Sequence, residues 1–324
     1  PYRGEIAVAM GDVNSDGVPD ALVAQADGGR LKVLDGSKKF YRDDLYDFYP
    51  FGQDPGFALN VAAADVNGDT YADMIVAGAD GANGVVKVFS GYSGSLLSEF
   101  DAIGDPAYRG GVSLATGNVD GSGRERIVTA PATDGPPEVK VWGWDLFTAN
   151  PSPSKAKRPR QQHDSLHSHH DQTSKLGAPT LFASVLAGAA DDRRGLTLGS
   201  TYYAGAKGGY RRLLTSPSSQ ADAVTLWTLK INESGAHGHD GMPSLAEDPQ
   251  LVPLTQFVPT LNAPAESGFN LASVSTTTGS VVAITQRGGE GPIWTFLPES
   301  SDSYQPIQSV FRLSTRGPVS LAGS

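Results

Sequence analysis

Gly11–Ala24 reads GDVNSDGVPDALVA, Ala64–Ala77 reads ADVNGDTYADMIVA, and Gly117–Ala130 reads GNVDGSGRERIVTA. Asp12, Asp65 and Asn118 fall at the same place in the three stretches and are 53 residues apart. A fixed spacing of this size marks a repeat architecture, in which each copy buries its apolar face against the next. Within each copy the short runs alternate apolar and polar residues, as half-buried strands do. GEIAVAM (Gly4–Met10), FALNVAA (Phe57–Ala63) and GVSLAT (Gly111–Thr116) precede the Asx-rich loops. ALVA, DMIVAG and RIVTAP follow them, and LKVLDG, VVKVFSG and EVKVWGW come after a Gly-rich turn. A weaker fourth run closes each copy. Four short antiparallel strands per repeat of roughly 40–60 residues is the pattern of a propeller blade. The expected fold is all-β, a β-propeller of five to seven blades, some of them incomplete.

Weaker copies emerge once this frame is set. Arg194–Tyr203, Arg211–Pro217 and Ala223–Lys230 read as a fourth blade, and Gly268–Val274, Ser280–Gln286 and Pro292–Pro298 as a fifth. Arg316–Ser324 (RGPVSLAGS) matches RGGVSLATG at Arg109–Gly117 and reads as the first strand of a further copy, as expected of a piece of a longer protein. The expected organisation is therefore three well-defined blades over 1–149, an insertion or linker over 150–190, and degenerate blades over 191–324 with a second insertion at 232–265. The core of the first insertion, Asn150–Leu176, is polar and rich in Pro and Ser, the composition of an exposed segment.

The two complete loops carry chemistry. Asp12, Asn14, Asp16 and Asp20 offer side-chain oxygens at positions one, three, five and nine, with the Val18 carbonyl at seven. Asp65, Asn67, Asp69, Asp73 and the Tyr71 carbonyl repeat that set. Hard oxygen donors on alternate residues of a tight loop suit Ca2+, which takes six to eight oxygens. Residue twelve is Val23 or Val76 rather than Glu, and a strand follows rather than a helix, so these are not EF-hands. The third loop keeps Asn118, Asp120 and Ser122 but has Arg126 at position nine, where a guanidinium can fill the space of an ion. The fourth and fifth copies have no loop carboxylates and are expected to be metal-free.

DVNSDGVPD, with VAMG before it and ALVA after it, resembles the FG-GAP or VCBS repeat of integrin-α-like β-propellers. GNVDGSGRERIVTAPATDGPPEVKVW is similar to repeats of large bacterial surface proteins. The resemblance is specific over residues 1–145 and faint beyond residue 190. It implies calcium in the loops between the first two strands, an extracellular or cell-surface location, and roles in adhesion or matrix. Lectins and polysaccharide lyases share the fold, so the resemblance alone does not set function. The expected partners are surface or matrix proteins or a polysaccharide, with self-assembly a further option.

Composition narrows the field. The formal net charge is −10, and residues 1–150 hold 22 Asp and Glu against 11 Lys and Arg. Such an acidic half disfavours nucleic acid, whose phosphates need clustered Lys and Arg. The basic run Lys155, Lys157, Arg158 and Arg160 sits in a Pro-rich segment and reads as a solvated tether. Without cysteine there are no disulfides, thiolate metal sites or Cys nucleophiles. No apolar run reaches the ~20 residues that span a bilayer. GxSxG, HExxH and phosphate-loop motifs do not occur, so no catalytic residues are assigned and a non-enzymatic module is expected. All six histidines (His163, His167, His169, His170, His237 and His239) lie in the two insertions and read as parts of polar loops. Trp142, Trp144, Trp227 and Trp294 recur in or beside the third strands and read as inter-blade core, though exposed aromatics there would suit a lectin.

Overall fold

The computed structural model describes residues 6–40, 44–144, 175–203, 210–220, 223–230, 250–257, 268–276, 279–286, 293–300 and 303–311. Among these there are twenty strands and no helix, hence none long and apolar enough to cross a membrane. The strands form five four-stranded antiparallel sheets, each a meander in chain order. Sheet one is β1 (Ile6–Gly11), β2 (Asp20–Gln25), β3 (Leu31–Leu34) and β4 (Asp44–Phe48). Sheet two is β5 (Leu59–Ala64), β6 (Asp73–Gly78), β7 (Val85–Phe89) and β8 (Leu96–Asp101). Sheet three is β9 (Val112–Gly117), β10 (Arg126–Pro131), β11 (Glu138–Gly143) and β12 (Thr180–Leu186). Sheet four is β13 (Leu196–Tyr203), β14 (Tyr210–Pro217), β15 (Val224–Lys230) and β16 (Gln250–Phe257). Sheet five is β17 (Phe269–Thr276), β18 (Gly279–Gln286), β19 (Ile293–Ser300) and β20 (Ser303–Phe311).

The first strands of successive sheets lie side by side, β1 by β5, β5 by β9, β9 by β13 and β13 by β17. All five line one central cavity. Blades arranged around a shared axis make this a β-propeller.

The second strands explain how the blades stack. β6 (DMIVAG) and β10 (RIVTAP) are buried at every residue. A strand covered on both faces carries a continuous apolar run rather than an alternating one. Four apolar clusters result, one between each successive pair of blades. Leu22 and Val33 meet Leu59 and Met74 between blades 1 and 2, while Ile75 and Val88 meet Val112 and Ile127 between blades 2 and 3. Val128 and Val141 meet Leu198 and Leu213 between blades 3 and 4, and Leu214 and Leu226 meet Phe269 and Ile284 between blades 4 and 5. Each such side chain contributes about 1.5–3 kcal/mol when fully buried. Trp142 and Trp144 belong to the cluster between blades 2 and 3, and Trp227 packs on the next one. The Trp142 and Trp227 indoles donate to Thr129 and Thr215 Oγ1, both at 2.8 Å, one bond repeated in two blades.

Two further features repeat. The pairing of third with fourth strand slips at Val33/Leu34, Val88/Phe89, Val141/Trp142 and Leu226/Trp227, a bulge at one blade position that bends the outer strand. Hydroxyls on the first strands also tie blade to blade. Ser273 Oγ donates to the Ser200 carbonyl (2.6 Å), Ser200 Oγ to that of Thr116 (2.8 Å), and Thr116 Oγ1 to that of Ala63 (2.9 Å).

The boundaries differ from the sequence expectation in two places. β12 lies inside 150–190 and is the outer strand of blade 3, and β16 lies inside 232–265 and is the outer strand of blade 4. Outer strands have one neighbour and much solvent, so they need little apolar alternation. In β12 only Ala183 is fully buried. Residues 150–174 of the first insertion, residues 232–249 and 258–265 of the second, all six histidines, the Lys155–Arg160 run, the Trp294 side chain and Arg316–Ser324 lie outside the described residues.

Candidate metal centre

Loops 1, 2 and 3 join β1 to β2, β5 to β6 and β9 to β10, and they share one hydrogen-bond frame. In loop 1 the Asp12 carboxylate accepts from the Asp16 and Gly17 amides (2.9 and 2.8 Å). Asn14 Oδ1 accepts from Asp16 N (3.0 Å), and Asp16 Oδ1 from Val18 N (2.8 Å). In loop 2 the Asp65 carboxylate accepts from Gly68, Asp69 and Thr70 (2.7, 3.1 and 2.9 Å). Asn67 Oδ1 accepts from Asp69 N and Asp69 Oδ1 from Tyr71 N, both at 2.9 Å. These are Asx turns in series. In loop 3 Asn118 and Asp120 accept from Gly123 N (3.1 Å) and Ser122 N (3.0 Å) in the same way.

The frame needs left-handed backbone at positions four and six. These are Ser15 and Gly17 in loop 1, Gly68 and Thr70 in loop 2, and Gly121 and Gly123 in loop 3. Thr70, at φ 76°, is β-branched where its counterparts are glycine. Such a residue at positive φ costs energy, and this kind of strain collects at functional sites. Its hydroxyl lies 3.2 Å from that of Ser15, joining loops 1 and 2.

Position nine divides the loops. Asp20 is fully buried and accepts from Val13 N (2.9 Å), Asn14 N (3.3 Å) and Gly36 N (2.9 Å). Asp73, also fully buried, accepts from Val66 N (3.1 Å) and Gly91 N (3.2 Å). Each clasps its loop to the turn after the third strand. Burial pushes Asp73 up to about 8 against the pull of those amides, and raises Asp20 and Asp65 in the same direction. In loop 3 the Arg126 guanidinium takes another course. Its Nε donates to Asp120 Oδ2 at 2.7 Å and its Nη2 to Ser122 Oγ at 3.4 Å, with the Phe182 ring 3.9 Å from Cζ. Both members of the Arg126–Asp120 pair are buried.

The donor set of loops 1 and 2 is all oxygen, and a carboxylate oxygen that accepts one hydrogen bond keeps a lone pair for a cation. Asp12, Asn14 and Asp16, like Asp65, Asn67 and Asp69, are gathered by the frame, with Val18 and Tyr71 next along it. Asp20 and Asp73 accept from amides of their own loops and feel the charge of Asp16 and of Asp69 and Asp65, and among the described residues no three Asp, Glu or His side chains form a metal-holding group.

The central cavity brings in two residues that the sequence did not single out. Glu125 and Arg211 line it together with Ala9, Ala62, Ala115 and Leu198. They precede Arg126 and Arg212, which pair with Gly117 and Thr201, so they hold equivalent positions in blades 3 and 4. Blades 1 and 2 have Pro19 and Ala72 there. Only register-level alignment of blade 4 would have exposed the pair, and its loop has no Asx pattern to align.

No family model matches the chain, and no curated protein matches it. Similar solved structures include the β-propeller domain of Myceliophteria thermophila Cps50 (Swd1), at 10% identity and TM-score 0.45, covering 95% of this chain and 88% of that one. The Pseudomonas aeruginosa PilY1 C-terminal domain is similar at 13% identity and TM-score 0.44, covering 88% of this chain and 58% of that one. The exotype rhamnogalacturonan lyase YesX is similar at 11% identity and TM-score 0.43, covering 93% and 56%. Nothing about ligand or activity follows from likeness at this level.

Proposed function

We propose that the chain is a calcium-dependent, non-catalytic structural or adhesive propeller of a secreted or cell-surface protein, with blades of the FG-GAP or VCBS kind. One observation carries the reading. Loop 3 has the same frame as loops 1 and 2 and holds a cation of its own, the Arg126 guanidinium on Asp120 and Ser122. Loops 1 and 2 have three Asp each and no basic side chain in the frame. Their positive charge comes from solution, and the oxygen donors select Ca2+. Its partners are surface or matrix proteins, or a polysaccharide. Thermal melting with calcium and with chelator tests the reading. A calcium-dependent midpoint that Asp12→Asn or Asp65→Asn lowers supports it, and an identical midpoint in both conditions refutes it.

A carbohydrate-binding reading has its own observation. Tyr92 is 60% exposed and is held edge-on by Tyr71 of loop 2, ring centroids 5.1 Å apart, while Trp142, Trp144 and Trp227 pack in the core. Titration of neutral and acidic polysaccharides against the protein and Tyr92→Ala tests it.

A further inference from the structure

Glu125 and Arg211 lie at the mouth of the central cavity on the side of the loops, since each sits where the second strand of its blade begins. They carry opposite charge at the same position of adjacent blades. Neither side chain makes a hydrogen bond or an ion pair with a described residue, and they are farther apart than the 4.0 Å of an ion pair. Glu125 is half-buried, and burial raises its pKa while Arg211 pulls it back only in part. Arg211 is fixed from behind: its backbone amide donates to the Asn118 carbonyl (2.8 Å), and its aliphatic stem fills the place a side chain on Gly117 would take. Below them the wall is built of small residues, Ala9, Ala62, Ala115 and Ala272 beside Thr116, Ser200 and Ser273.

Desolvated charges without partners cost free energy, and a concave site on which a few polar groups converge is where a small polar ligand can bind. Two opposite charges that face one cavity without touching can be bridged by a ligand. The ligand must donate to the carboxylate and accept from the guanidinium. Among the described residues Asp65 also acts on Glu125, and its negative charge favours a cationic group on the Glu125 side. We propose that the loop-side mouth of the central cavity binds a small zwitterion of the α-amino-acid type, its ammonium on Glu125 and its carboxylate on Arg211. The site is separate from loops 1 and 2 in its readout, because ligand binding is measured directly and calcium binding through melting.

The test is titration calorimetry of the full chain with glycine and L-alanine, against acetate and ethylamine, which each carry half of the charge pattern. Saturable binding of the amino acids is expected, with each half-ligand at least tenfold weaker, a loss of 1.4 kcal/mol or more. Glu125→Gln and Arg211→Gln should each weaken glycine about tenfold without changing the melting response to calcium. The exchanged double variant Glu125→Arg with Arg211→Glu keeps both charges and should restore binding, the ligand turned end for end. Acetate that binds as well as glycine would reduce the site to an anion contact of Arg211 and overturn the proposal. So would an absence of saturable amino-acid binding by folded protein, or single variants that bind undiminished.

Discussion

Loops 2 and 3 are neighbours built on one frame, yet they handle charge in opposite ways. Loop 2 places a third Asp at position nine, where it joins Val66 of the loop to Gly91 of the next turn, and leaves Asp65 and Asp69 with no counter-charge in the frame. Loop 3 places Arg126 there, and the guanidinium turns into the loop to reach Asp120 and Ser122. One residue at one position thus separates a loop whose carboxylates have no cation in the frame from one that carries its own, and on the proposed reading the first takes its cation from solution. The backbone frame is the conserved part of the design between the three copies, and the charge is the variable part.

The comparison breaks most visibly at Arg126. Arg126→Ala leaves the Asp120 carboxylate buried without its partner, and losing one member of a buried pair costs about 3–5 kcal/mol. Chemical unfolding should show a loss of that order. Arg126→Asp should lose as much in chelator and recover part of it in calcium, because loop 3 would then have the donor set of loop 2. A variant equally stable in chelator and calcium would show that position nine does not set cation dependence.

Calcium itself should come next. A ligand that binds only the folded state adds about 2.7 kcal/mol at a hundredfold excess over Kd. The gain should fall on loops 1 and 2, so Asp12→Asn and Asp65→Asn should each remove part of it and Asp120→Asn none, as read by calorimetric melting.

The response to pH sharpens the same contrast. Burial raises Asp73 to about 8, and raises Asp20 and Asp65. A carboxyl with a raised folded pKa holds its proton more tightly folded than unfolded. Its stabilisation is complete below the unfolded range near 4 and is lost as pH rises toward 8. In chelator the melting midpoint should therefore fall from about pH 5 to about pH 8, and Asp73→Asn should flatten the fall. Calcium should also flatten it by favouring the ionised loops. A midpoint in chelator that rises over this range would contradict the clasp geometry.

The smallest effect expected is at the first strands. Thr116→Val removes one bond, to the Ala63 carbonyl, and should cost about 1 kcal/mol in unfolding experiments.

What the sequence made legible follows burial. β6 and β10 are buried throughout and could be read from DMIVAG and RIVTAP alone. β12 and β16 fall inside the expected insertions because each follows a long polar stretch without strand pattern, and the apolar residues of β12 stay largely uncovered, so its course is set by backbone bonds to its inner neighbour that leave no mark on residue type. At the loops, the spacing of Asp12, Asn14 and Asp16 announced a frame of oxygens, and the folded loop has that frame. The same spacing does not show that Asp20 reaches, besides the loop amide of Val13, the Gly36 amide sixteen residues further along. Glu125 and Arg211 were invisible for a different reason, since they come from different blades and only the shared axis brings them together.

The row of hydroxyls from Ser273 through Ser200 and Thr116 has a direction, each residue reaching back to the main chain of the blade before it and asking nothing of that blade's side chains. A newly duplicated blade with Ser or Thr at this point brings its own fastening, whatever residue its predecessor carries there. Ala63 shows the terms of the arrangement, for it receives the bond from Thr116 with no hydroxyl of its own. Such a joint tolerates differences in sequence between copies, as between blades 4 and 5 and blades 1 to 3, because it rests on main chain alone in the blade before.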